Sequence, residues 1–185
     1  MAGKWSEQTL DATVAETDWV SRTKDPAGTP LTRRCTVSDL LGANAEYGEI
    51  YAASAGTTQS TINSSTYTKI DQFDTEGVSL GASVSQANDQ ITLSSAGVYQ
   101  VSMGLSFSGT ASETYTIALH VDGVEAANTK IIRKLGTGGD VGQVAGTTFH
   151  SFSGGEVLDL RVKSLAGSGD DFTLESGVFG IHRVV

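Results

Sequence analysis

The chain has 185 residues, a single cysteine (Cys35), a formal net charge of −9 and only 18% charged residues. One cysteine excludes an intrachain disulfide framework, the acidic balance opposes binding to phosphate backbones, and no apolar run reaches the ~18 residues of a membrane-spanning helix. Abundant Ser, Thr and Gly, with few Glu, Lys and Arg, suit many short strands joined by turns rather than long surface helices.

Residues 1–45 form a first segment with its own texture. It holds both tryptophans (Trp5, Trp19), both prolines (Pro26, Pro30) and Cys35. Its first residues lack the apolar core of a signal peptide. The expectation is a product made in the cytoplasm, which would leave a cell by lysis as part of a particle. Thr17–Ser21 reads as a short strand, Lys24–Pro30 as a turn and Leu31–Thr36 as the returning strand. Val37–Leu41 reads as one helical turn, capped by Ser38 and stopped by Gly42. Such an arm buries little by itself, and two exposed tryptophans are costly, so it is expected to dock on something.

From residue 46 on, strands dominate. Glu49–Ala52, Thr66–Ile70 and Gln90–Leu93 read as strands. Tyr99–Phe107 carries the clearest pattern: Tyr99, Val101, Met103, Leu105 and Phe107 are apolar, and Gln100, Ser102, Gly104 and Ser106 between them are small or polar. This period of two means a strand with one buried and one wetter face. Tyr115, Ile117, Leu119 and Val121 alternate with Thr114, Thr116, Ala118 and His120, which places His120 on the polar face. Asp122-Gly123 then reads as a two-residue hairpin turn. Thr129–Leu135, Val144–Phe152 and Glu156–Lys163 follow as strands, with Gly136–Asp140 as a turn. In the last strand Phe172 and Leu174 are apolar at even positions, whereas Phe179 and Ile181 are apolar at odd ones. A parity switch near Ser176-Gly177 is the mark of a β-bulge. Short strands with regular turn signals predict an all-β sandwich or jelly roll. No heptad or collagen-like repeat is present, so no fibrous shaft is expected.

The candidate chemistry is sparse. His120, His150 and His182 all lie in predicted strands, and His150 and Ser151 are neighbours that must point to opposite faces. No catalytic residue is expected, and the chain is read as a non-enzyme. Gly136–Gly142 resembles a phosphate-cradling loop, but a strand follows where that role needs a helix N-terminus. A hairpin loop is expected there. Gly167–Asp171 places Asp170 and Asp171 beside glycines before the last strand. It offers too few oxygens for calcium by itself, so a solvated turn is expected and no metal or other cofactor is assigned.

Three segments carry a resemblance. Gln90–Val101 gives a hydrophobic strand, a polar turn and a Gly-x-Tyr strand. Phe152–Leu160 gives a loop, glycines, an acid and an alternating strand. Ser176–Ile181 gives a final strand with glycine and an aromatic. In this order and spacing they resemble the globular heads of the complement and tumour-necrosis-factor superfamily, in its bacteriophage and bacterial branch, over roughly residues 47–185. The resemblance implies a jelly roll of about ten strands, assembled as a homotrimer through its inner sheet. Tyr51, Tyr99, Val101, Phe149, Phe179 and Ile181 are then candidates for the core or the threefold interface. Loops at the outer end would bind ligand.

Residues 1–45 resemble short attachment segments of phage virion proteins, which makes Trp5, Trp19, Val20, Leu40 and Leu41 the attachment candidates. The function implied is a non-enzymatic virion structural protein at the particle surface, a short tail or head fibre for host attachment. Its partners would be itself, a capsid or tail protein, and a host receptor or glycan, with no nucleic acid and no membrane insertion. A capsid decoration protein and a bacterial carbohydrate-binding head are the alternatives.

Overall fold

The structure is a computed structural model that describes residues 22–24, 30–32, 45–138 and 140–184. The chain divides into two compact units, Met1–Asn44 and Ala45–Val185. In the first unit β1 (Arg22–Lys24) pairs antiparallel with β2 (Pro30–Thr32), Thr23 lying opposite Leu31. Lys24 and Pro30, read as turn residues, instead belong to the strands and face each other. The strand read over Thr17–Ser21, the helical turn over Val37–Leu41 and the attachment candidates Trp5, Trp19, Val20, Leu40 and Leu41 lie outside the described residues.

The second unit runs β3 (Tyr47–Ala52), β4 (Gln59–Asn63), β5 (Thr68–Lys69), β6 (Thr75–Leu80), β7 (Ser83–Ser85), β8 (Gln90–Thr92), β9 (Gly97–Gly109), β10 (Thr114–Val121), β11 (Val124–Glu125), β12 (Ile131–Lys134), β13 (Gly142–Phe152), β14 (Val157–Ser164) and β15 (Ser168–Arg183). Two antiparallel sheets form. A six-stranded sheet has the order β13-β9-β15-β3-β6, with β4 also on β15. A seven-stranded sheet has the order β11-β10-β14-β8-β7, with β12 also on β10 and β5 on β14. The sheets enclose one core, and the fold is a jelly-roll sandwich. The strands that sequence patterning missed, β4, β6, β7 and β11, are short, and all but one of their residues are exposed or half-buried. They lack the run of inward apolar positions that reveals a strand.

β9 explains the core. Tyr99, Val101, Met103, Leu105 and Phe107 are all buried, while the even positions between them are half-exposed. Burying a large apolar side chain contributes roughly 1.5–3 kcal/mol each, so this one strand fixes its own register. Phe107 stacks on Phe172 of β15, ring centroids 5.0 Å apart, and meets Tyr115 of β10 edge-on at 5.6 Å. The Tyr115 hydroxyl donates to the Asp171 carbonyl and accepts the Thr110 N–H. A side chain at Gly109 would collide with both the Asp171 carbonyl and this hydroxyl, at 2.5 and 2.7 Å.

The bulge in β15 lies where Leu174 opposes Phe107 and Ser176 opposes Ser106. The extra residue is Glu175, so the parity switch precedes Gly177. Gly177 has a different cause: a Cβ there would meet Leu105 Cδ2 at 2.6 Å. The Asp122-Gly123 turn joins β10 to β11, and both residues have positive φ (49° and 83°), as a primed hairpin turn requires. The Gly136–Asp140 segment, by contrast, is no hairpin loop. It crosses from β12 in one sheet to β13 in the other, and Asp140 steadies it by accepting the Gly136 N–H at 2.7 Å.

The Gly-x-Tyr motif acts locally. The Tyr99 ring packs edge-on against Phe152 at 5.5 Å, and its hydroxyl donates to the Ser95 carbonyl at 2.8 Å. Glu46, buried, accepts the N–H groups of Ser94 and Ser95 at 2.6 and 3.0 Å. Burial, reinforced by Glu46, pushes the Tyr99 hydroxyl well above the usual tyrosine range. Gly154 (φ 88°) sits against the Ser95–Ala96 backbone, where any Cβ would clash at 2.9 Å. Two of the three segments that carried the resemblance thus meet at one end of the sandwich.

Candidate interaction faces

The structure separates the candidates that sequence left together. Tyr99, Val101 and Phe179 are fully buried and Ile181 is nearly so; all four lie between the sheets. Phe149 points away from the core and is 60% exposed, and Tyr51 is half-buried on the same outward face. The outward face of the six-stranded sheet is therefore built from the other residues of the same strands.

Its centre is the small-residue side of β9. Gly104 stands between Ala145 of β13 and Val178 of β15, and Ser102 between Thr147 and Gly180. Gln100 stands between Phe149 and His182. Tyr47, Glu49 and Tyr51 of β3 continue these rows. The surface is flat and low because Gly104 and Gly180 add no side chain to it. Apolar groups flank it: Val78 of β6 is 70% exposed, and Phe149, Leu80 and Val178 are exposed too. Two shallow hollows remain. One, of about 290 Å³, lies among Tyr47, Glu49, Val78, Gln100 and His182. The other, of about 410 Å³, lies among Gly104, Ser106, Gln143, Ala145 and Ser176. Sequence reasoning missed Ser102, Gly104, Ser106 and Gly180 by weighing apolar positions only. The signal was the unbroken smallness of the even positions of β9.

The outward face of the seven-stranded sheet differs. Thr116, Ala118 and His120 point outward from β10 yet are buried. Tyr67, from the connection between β4 and β5, covers His120. Its ring meets the His120 ring edge-on at 4.7 Å, with Lys163 Nζ 4.7 Å from the ring centroid. The polar face expected for His120 is thus roofed over. Burial holds the His120 imidazole below its ordinary range. Burial, with the charge of Glu125 adding to it, pushes the Tyr67 hydroxyl up to about 12. The Lys130 ammonium, 2.7 Å away, holds the Glu125 carboxyl below its usual range. Arg161 donates to both carboxylate oxygens of Asp159, at 2.7 and 3.0 Å.

Among the described residues neither His150 nor His182 is hydrogen-bonded to a hydroxyl or thiol. His150 lies on the inward side of β13 with its ring 4.7 Å from Phe152, while Ser151 faces out. His182 is exposed on the six-stranded sheet. The Gly167–Asp171 segment corrects the expectation of a solvated turn. Asp170 lies in β15 opposite Ile62 of β4 and is buried, and Asp171 is exposed beside it. Among the described residues no group of three His, Cys, Asp or Glu side chains is placed to hold a metal ion.

No family profile and no curated protein matches the chain in sequence. Solved structures do match in fold. The globular domain of a zebrafish complement 1qA protein superposes with a TM-score of 0.51 at 10% identity, over 76% of this chain and 97% of that one. Eiger TNF from S. frugiperda gives 0.48 at 13% identity, over 76% and 92%. The first likeness establishes the jelly-roll head as the fold of the second unit.

Proposed function

We propose that the chain is a non-enzymatic virion structural protein of a bacteriophage. In this reading three copies join through the outward face of the six-stranded sheet, residues 1–45 anchor the trimer to a capsid or tail protein, and the heads face outward for host attachment. The observation that carries it is that flat face: a central strand of Ser102, Gly104 and Ser106 flanked by exposed Val78, Phe149 and Val178. A face this low and this apolar at its margins suits close approach by another copy of itself. The superfamily resemblance read from the sequence implies trimers built on this sheet. The surface is also unlike an active site, since the described histidines are buried, packed on an aromatic or isolated on a sheet.

Mass spectrometry of purified particles tests the setting. The chain is expected in the particles, at a few trimers each for a fibre; hundreds would favour the decoration protein, and absence would contradict both. The arm is tested by deleting residues 1–45. A folded trimer that no longer joins the particle is expected, and an aggregated or unfolded product would contradict the division of labour.

A further inference from the structure

Charge in the second unit is segregated by sheet. In the six-stranded sheet, β3, β6 and β15 carry Glu49, Glu76, Asp170, Asp171 and Glu175 against one cation, Arg183. In the seven-stranded sheet, β5, β12 and β14 carry Lys69, Arg133, Lys134, Arg161 and Lys163, with Lys130 just before β12, against Glu125 and Asp159. Those two carboxylates engage Arg161, Lys130 and, at 3.9 Å, Lys69. Among the described residues no carboxylate lies within ion-pair distance of Arg133, Lys134 or Lys163.

Two of these cations share the outward face. Lys134 of β12 lies opposite Thr114 of β10, and Lys163 of β14 opposite Thr116, one outward row further along. Lys163 lies over the Tyr67 ring, and Glu125, beyond ion-pair distance, offsets part of its charge. Ile132, 59% exposed, stands opposite Thr116 in the row of Lys163. Leu165, 50% exposed, donates its N–H to the Thr114 carbonyl in the row of Lys134. Two cations and two apolar side chains thus alternate over three adjacent strands, a width of roughly 10 Å.

We infer that this face binds an acidic polysaccharide, its carboxylate or sulfate groups on Lys134 and Lys163 and the C–H faces of its sugar rings on Ile132 and Leu165. The inference names a ligand class for the attachment reading and rests on that reading for its biological setting. Charge complementarity selects the ligand: a chain of net charge −9 attracts a polyanion only where its cations are gathered, as Lys134 and Lys163 are here, with the bordering Glu113 carboxylate turned to the Leu165 and Ala166 N–H groups. A flexible glycan with spaced charges can touch this patch alone, whereas a continuous phosphate backbone would overrun it onto acidic surface. Three patches per trimer would add avidity.

The test uses the full chain on immobilised heparin and alginate, with neutral dextran and duplex DNA as comparators. Retention on both acidic glycans, none on dextran and a fall with added salt are expected. Replacing Lys134→Gln with Lys163→Gln should weaken binding about tenfold, while Lys134→Arg with Lys163→Arg should retain it. Equal retention on dextran, tighter retention on DNA, or a glutamine double variant that binds as well as the parent would overturn the inference. Blocking of particle adsorption by free chain reports separately on the attachment reading. A glutamine double variant that still blocks adsorption would keep that reading and reject the glycan.

Discussion

β9 and β10 are interior strands of opposite sheets, and both alternate apolar with small or polar residues, yet they are buried differently. On β9 only the odd positions are buried, and Ser102, Gly104 and Ser106 stay open on a flat outward face. On β10 both faces are buried, and at His120 the outward cover is Tyr67, which carries Lys163 on its ring. Alternation tells which way each side chain points; what covers the outward side depends on a connection more than 45 residues away in sequence from the strand it covers. One sheet keeps a plain surface with a carboxylate bias, and the other a roofed surface with a cationic one.

The largest expected effect lies on the face that points inward. Phe179→Ala should cost about 3–5 kcal/mol, since it leaves a cavity among fully buried neighbours; chemical denaturation measures it. The same strands should tolerate change on the outward side, so a comparable loss at Gly104 would break the distinction between the two faces.

Tyr67→Ala should cost about 2 kcal/mol and uncover His120. The folded His120 titrates below the unfolded value of 6.5. Unfolded chains therefore take up the proton first, and stability falls as pH drops below 6.5 toward the lowered folded value. Uncovering the ring should shrink this dependence, with the imidazole signal in an NMR titration moving back toward its ordinary midpoint. An unmoved midpoint would mean that Tyr67 is not the cover.

A smaller effect is expected at Asp89, also beside the seven-stranded sheet. Burial raises its carboxyl from 3.8 to about 6, against the Phe73 N–H that Oδ1 accepts at 2.9 Å. A raised acid favours the protonated fold, so its contribution is lost as pH rises from 3.8 through about 6. Asn can keep the acceptor and tolerates the left-handed backbone (φ 48°). Asp89→Asn should stabilise by about 1 kcal/mol at pH 7 and flatten the stability profile between pH 4 and 6.

Most of the sandwich was legible because inward apolar residues at every second position announce a strand. The long strands β9, β10, β14 and β15 carried that signal, and Asp122-Gly123 announced its own turn. The bulge was legible within two residues, since Glu175 flips the parity of Phe172 and Leu174 relative to Phe179 and Ile181. Gly136–Asp140 was misread because a loop between sheets and a loop within a hairpin use the same glycines. Asp170 was misread because a carboxylate beside glycines reads as a turn, although pairing with β4 draws it into β15. The candidate face was half legible: Phe149 and Tyr51 were named, whereas Gly104 and Gly180 matter through side chains they lack, which an apolar count does not register.

Gly104 gives the most direct test of self-association. A Cβ there would touch only Val178 Cγ1, at 3.9 Å, so a long side chain can be added without disturbing the core. Light scattering of the full chain and of Gly104→Arg at equal concentration decides the matter. The parent should have three times the 19.2 kDa mass of the chain, and the variant should be a folded monomer with stability within about 1 kcal/mol of the parent. A monomeric parent, or a variant that remains trimeric, would contradict the assignment of this face as the threefold interface.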